Sequence, residues 1–184
     1  MKNITFRIVI TLFVSVILAS TGIAQKQAPS ADAILNKAYA KAAKEKKNVF
    51  LMFHASWCVW CRVLDTSLND ISCRKFINDN YVITHLDIKE KGTNKKLENA
   101  GADKLFKKYS KLNEQIPFWL IFNSKGKLLS DGFMPDGNNI GCPVMQDEVD
   151  AFIEIIKKTS RLKESELAII AKRLRDNEAR TKVE

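Results

Sequence analysis

Residues 49–62 read VFLMFHASWCVWCR, an unbroken apolar run, a short polar break, and two cysteines separated by two residues. Val49 to Phe53 has the length and continuous apolar character of a central strand covered on both faces. Cys58 and Cys61 follow at the carboxyl end of that strand. The pair is open to three chemistries: a structural staple, half of a metal site, or two thiols that trade electrons.

The first residues of the chain bear on that choice. Lys2 and Arg7 precede the apolar run Ile8 to Ala19. Gly22-Ile23-Ala24 then places small residues three and one positions before a cut ahead of Gln25, the pattern of a cleavable signal peptide. The apolar run is shorter than the ~20 residues that comfortably span a bilayer, which favours a cleaved peptide over the alternative of an uncleaved anchor. No cysteine follows at the cut, which argues against a lipid anchor there. The mature chain is therefore expected in the periplasm or outside the cell, touching the membrane only through the signal peptide before cleavage. In an oxidising compartment a CxxC defaults to disulfide chemistry. A structural zinc wants four N or S ligands, and no second CxxC or HxxxH accompanies this one, so no metal is expected. With Cys73 and Cys142, the four cysteines are too few and too scattered for a disulfide scaffold.

With 46% hydrophobic residues, the 184-residue chain has material for one domain with a genuine core. Its net charge of +9 becomes +7 once residues 1–24 leave, because they carry Lys2 and Arg7 and no acidic residue. The remaining lysines, in KAAKEKK, KEKGTNKK and LFKKYSK, are mixed with acids and not interleaved with aromatics. They read as solvated faces, and nucleic acid is not an expected partner.

Working outward, Ser30 can cap a helix with Asp32 in its first turn and Ile34, Leu35, Ala38 and Ala42 on one face. After Cys61, the residues Val63, Leu64 and Leu68 predict a helix, continued unbroken or broken through Cys73, Phe76 and Ile77. Tyr81 to Ile88 alternates as a second strand. Two strands joined this way form a right-handed βαβ unit, with the cysteines above the carboxyl ends of the strands. Lys89 to Lys111 predicts a solvent-facing helix after a loop. Ile116 to Phe122 predicts a third strand, Asn123-Ser-Lys-Gly126 a hairpin turn, and Lys127 to Ser130 a fourth strand. A helix is expected from Pro143, with Val149, Phe152, Ile153 and Ile156 facing the core. Leu167, Ile170 and Leu174 mark a final helix, packed on the domain or free to bind a partner.

At a strand-to-helix junction, the sulfur of Cys58 meets unpaired backbone N–H groups and the positive end of the helix dipole. The thiolate is thereby stabilised, making Cys58 the attacking sulfur and Cys61, one turn on and more buried, the resolving one. Trp57 and Trp60 flank the pair with apolar surface that suits a substrate chain. Trp57 is expected to pack on the domain and Trp60 to stand exposed. Histidines 54 and 85 are each either packing residues or groups that tune the site.

The run ending in WCVWC, with Ile116-Pro117 ahead of a later strand, resembles the thioredoxin superfamily, and more narrowly its exported members whose motif carries a second Trp. The resemblance spans residues 34–160, and implies an α/β thioredoxin fold: a central mixed β-sheet flanked by helices. Residues 1–24 would be the signal peptide, 25–33 a linker, and 161–184 an added C-terminal helical extension. The resemblance further implies a thiol–disulfide oxidoreductase with Cys58 and Cys61 catalytic and no cofactor beyond their disulfide. Trp57, Trp60, Ile116 and a cis Pro117 would face the substrate, a protein thiol or disulfide, and a separate redox partner would recharge the pair.

Two departures from the family pattern stand out. Met52 occupies the position of the buried acid in the strand before the motif, and His85 replaces a lysine on the neighbouring strand. Without that acid, His85 or water would have to accept the proton from Cys61. Cys73 and Cys142 are expected as two separate thiols, a second bridge being the alternative. A module that binds a partner or a soft metal without turnover is the alternative to the enzyme.

Overall fold

The computed structural model describes residues 28–111 and 114–181. The signal peptide expected over residues 1–24 lies outside them. Helix α1, Ala31–Glu45, starts where Ser30 Oγ accepts a hydrogen bond from Ala33 N at 3.2 Å, the expected cap. Its buried residues, Ala31, Leu35, Ala38 and Ala42, fall on one stripe at helical spacing.

Strand β1, Asn48–His54, contains the opening apolar run, and its five central residues are all buried. It lies inside a four-stranded sheet of order β2-β1-β3-β4, with β2 at Tyr81–Asp87, β3 at Phe118–Phe122 and β4 at Leu128–Asp131. The β1–β2 pairing is parallel and the β1–β3 and β3–β4 pairings are antiparallel, which makes the sheet mixed. Helix α2, Val59–Leu68, and helix α3, Arg74–Asn80, form the crossover from β1 to β2. Between the last two strands, Gly126 at φ 78° turns the chain, and Asn123 Oδ1 accepts from the amides of Lys125 and Lys127.

Because side chains alternate across a strand, β1 feeds two cores. Phe50 and Met52 join Trp119, Ile121 and residues of α2 and α3 on one face, while Leu51 and Phe53 join Leu120, Phe122 and α1 on the other. Helix α4, Ala102–Tyr109, closes the second face through Phe106, whose ring meets Phe53 at 5.4 Å and Phe118 at 5.8 Å. Between β2 and α4 the lysine-rich segment forms a 3₁₀ turn at Gly92–Leu97 before the expected helix.

Helix α5, Gln146–Thr159, covers the first face with Val149, Phe152 and Ile156. Its start lies three residues later than expected from Pro143. Glu148 sets it by accepting from the amides of Val144 and Met145, both at 3.0 Å, so that these residues end the loop. Helix α6, Glu164–Arg175, packs on the same face through Leu167, Ile170 and Leu174. The chain turns at Asp176-Asn177 before a short helix α7, Glu178–Thr181. The break follows from Asn177, which is buried and donates to Ser67 Oγ at 2.9 Å while accepting from Arg173. The architecture is the thioredoxin fold: a mixed four-stranded sheet between two helical layers, with added C-terminal helices.

Candidate active site

Cys58 is the N-cap of α2, in extended backbone, and its Sγ accepts from the Cys61 amide at 3.1 Å. Helix geometry returns Cys61 to the same side one turn later, and the two sulfurs are bonded, with Cα atoms 5.3 Å apart. Both side chains are buried, against Ala55 and Ile116. The Ile116-Pro117 peptide is cis. The Ile116 side chain packs on the pair and brings the segment before β3 onto the disulfide.

A cleft of about 310 Å³ opens on this side, lined by Trp60, Ile116, Pro117, Ile140, Cys142 and Val144. Asn139 fastens its far wall by donating to the Pro117 carbonyl at 3.0 Å. Trp119 Nε1 donates to the Gly141 carbonyl at 3.0 Å, fixing the same loop from below.

The two tryptophans exchange their expected environments. Trp57 is 43% exposed, while Trp60 is half-buried against the core. Trp57 precedes the N-cap, so its ring leaves the helix and donates from Nε1 to the Lys89 carbonyl at 2.7 Å. The Lys91 ammonium lies 4.5 Å from that ring's centroid. Trp60 lies within the first turn of α2, which directs it toward residues 140–144. Of the expected substrate contacts, Trp60, Ile116 and Pro117 share the cleft and Trp57 does not line it.

Met52 is buried in the apolar core, in register with His85 on β2. His85 Nε2 is 3.0 Å from Asp65 Oδ1, which ties β2 to α2. His54 pairs with Asp87 at 3.0 Å, and the two imidazoles meet edge-on at 5.0 Å. The hydrogen bond from His85 holds the Asp65 carboxyl below its ordinary range, against the opposing effect of burial.

Sequence reasoning missed Glu90. Its side chain is only 2% exposed, and its two oxygens accept from Ser56 N at 2.6 Å and Ser56 Oγ at 2.7 Å. Arg62 grips the other side of the same residue, donating from Nη1 to the Ser56 carbonyl at 2.7 Å. The KEKG context reads as solvated charge, and only an acid preceded by the strand-like ITHLDI run hinted otherwise.

Cys73 and Cys142 are both buried and take part in no disulfide, in keeping with two separate thiols. Cys73 Sγ donates to the Ser67 carbonyl at 3.0 Å, and burial pushes its thiol pKa up. Among the described residues no group of three or more His, Cys, Asp or Glu side chains is arranged to hold a metal ion.

A family model described as Thioredoxin-like matches residues 31–124, just over half of the chain. The chain belongs to the thioredoxin-like family. Among solved structures it is similar to a disulphide isomerase from Xylella fastidiosa Temecula1, at 24% identity over 61% of this chain and 80% of that one, with TM-score 0.46. It is also similar to a DsbH oxidoreductase, at 20% identity over 74% of this chain and 85% of that one, with TM-score 0.44. A thioredoxin-fold protein from Helicobacter pylori shows 18% identity over 75% of this chain and 86% of that one, with TM-score 0.38. No curated protein matches the sequence.

Proposed function

We propose that this thioredoxin-like protein is a thiol–disulfide oxidoreductase that acts on protein thiols and disulfides outside the cytoplasm. The observation that carries the reading is the position of Cys58: N-cap of α2, bonded to Cys61, with the Ile116-Pro117 segment packed on the pair. In the reduced state the same N-cap favours a Cys58 thiolate, because the helix amides and dipole stabilise negative charge there.

The exchange balances as two thiolate displacements. Cys58 S⁻ attacks one sulfur of a substrate disulfide, forming a mixed disulfide and releasing a substrate thiolate. Cys61 gives up its proton, to water or to His85, and attacks the Cys58 sulfur. A Cys58–Cys61 bond forms, the second substrate thiolate leaves, and two electrons have passed to the substrate. A dithiol partner restores the reduced pair by the reverse sequence. The cleft with Trp60, Ile116 and Pro117 supports binding of an extended chain beside the sulfurs, and the Ile8 to Ala19 run supports export.

The test is reduction of insulin disulfides with dithiothreitol as electron source. Cys58→Ser abolishes turnover with the fold retained, and Cys61→Ser accumulates a mixed disulfide at Cys58. Full activity in Cys58→Ser would overturn the assignment, and partner binding without any exchange in the wild type would favour the binding module. Fractionation of the producing cells tests export, which requires the mature chain to begin near Gln25.

A further inference from the structure

Glu90 has no part in the exchange chemistry, yet its carboxylate is buried against the residue two positions before Cys58. Carboxylates are almost never fully buried unless something holds them. Here both oxygens accept from Ser56 and neither donates, the pattern of an ionised carboxylate. Asn94 Nδ2 completes the network by donating to Ser56 Oγ at 3.1 Å. Glu98 fixes the backbone beneath it, accepting from the Glu90 amide at 2.8 Å, and Lys95 bonds Glu98 at 3.1 Å.

We propose that Glu90 is a tuning residue that lowers the reduction potential of the Cys58–Cys61 couple and so biases the protein toward donating electrons. The inference rests on the exchange reading above and supplies its direction. A negative charge beside the amino end of α2 opposes the helix dipole where the Cys58 thiolate would form. The thiolate is made less stable, the dithiol state loses ground to the disulfide, and the reduced pair gives up its two electrons more readily. Electrons enter from a dithiol donor and leave to a substrate disulfide, as in the exchange written above.

Other charges face the same turn. The Arg62 guanidinium holds the Ser56 carbonyl, and Lys91 lies over Trp57. Both favour a thiolate, but Lys91 extends from a solvent-exposed position, where counterions and water screen it, whereas the Glu90 carboxylate is shielded by burial. Neither cation changes when Glu90 alone is substituted, so the difference between variants isolates the carboxylate.

The experiment measures the Cys58/Cys61 potential in glutathione or dithiothreitol redox buffers for the wild type, Glu90→Gln and Glu90→Asp. Glutamine accepts from the Ser56 amide and donates to its hydroxyl, keeping the geometry while removing the charge. Aspartate keeps the charge and shortens the reach. Glu90→Gln should shift the equilibrium toward the dithiol about tenfold, ~30 mV more oxidising for a two-electron couple. Its Cys58 should also titrate at lower pH, by iodoacetamide alkylation rate, while Glu90→Asp stays within about threefold of the wild type. A merely structural role destabilises oxidised and reduced forms alike and leaves the potential in place. An unchanged or more reducing Glu90→Gln, or an equal shift in both variants, overturns the proposal. If the wild-type pair has no measurable two-electron potential, it is the exchange reading that fails.

Discussion

Replacing Ile170 by alanine tests whether α6 is part of the folded body or an arm held out for a partner. Ile170 is fully buried, in the core that also holds Phe152 and Ile156, with Leu167 and Leu174 one turn to either side. Truncating a buried isoleucine removes its transfer free energy and leaves a cavity, a loss of about 2–5 kcal/mol. With a urea m-value of about 2 kcal/mol/M, a 3 kcal/mol loss lowers the unfolding midpoint by ~1.5 M. In a chain of this size it also lowers the melting temperature by ~6–12 °C. Ile169 is the control, because the neighbouring side chain is 40% exposed, and its change to alanine should move stability by no more than about 0.5 kcal/mol. Urea unfolding followed by tryptophan fluorescence reads both variants, since Trp119 lies in the same core. A midpoint unchanged in Ile170→Ala, or a loss equal to that of Ile169→Ala, would refute the docking of α6 and return the helix to the role of a partner-binding arm.

Three further outcomes follow from particular contacts. Asp65 has its folded pKa depressed by the His85 hydrogen bond, so its contribution to stability is present above the unfolded value near 3.8 and is lost as pH falls through the lower folded value. Urea midpoints from pH 2 to 6 should therefore show a gap between wild type and Asp65→Asn that is constant well above pH 3.8 and narrows as pH falls below it; a gap that does not narrow contradicts the pairing. Gly132→Ala would set a Cβ 3.1 Å from the Trp119 ring and from its carbonyl oxygen, an overpacking cost of about 1–3 kcal/mol, readable by chemical denaturation. Cys73, whose burial raises its pKa, should resist iodoacetamide at pH 8 in the native reduced protein while Cys58 is modified; peptide mapping decides, and comparable rates would contradict it.

The parts of the fold legible in the sequence were those written in local pattern. The VFLMF run became the doubly covered strand β1, ITHLD its parallel neighbour, and NSKG the turn after β3. The cap at Ser30 and the cis bond before Pro117 were also legible, the first from residue type and the second from a family pattern. What escaped depends on contacts between distant residues. Ser56 and Glu90 meet across a separation of 34 residues, and nothing in KEKGTNKK distinguishes the one acid that turns inward from its solvated neighbours. Trp57 and Trp60 are the same residue type, and only the position of the N-cap between them, with the Lys89 carbonyl outside the helix to receive Trp57, decides which ring stays on the surface and which turns toward the core. The stop of α6 at Asp176 rests on a hydrogen bond from Asn177 to Ser67 that no helical periodicity encodes.

The central claim is that Cys58 and Cys61 form one reversible redox pair with Cys58 as the reactive sulfur. The most direct measurement equilibrates the purified protein across dithiothreitol redox buffers, quenches with iodoacetamide at limiting time, and maps the alkylated peptides by mass spectrometry. The account predicts a single two-electron transition confined to the 58–61 peptide, with Cys58 alkylated before Cys61 and with Cys73 and Cys142 outside the transition. Failure of the pair to interconvert, or first modification at Cys61, would contradict it.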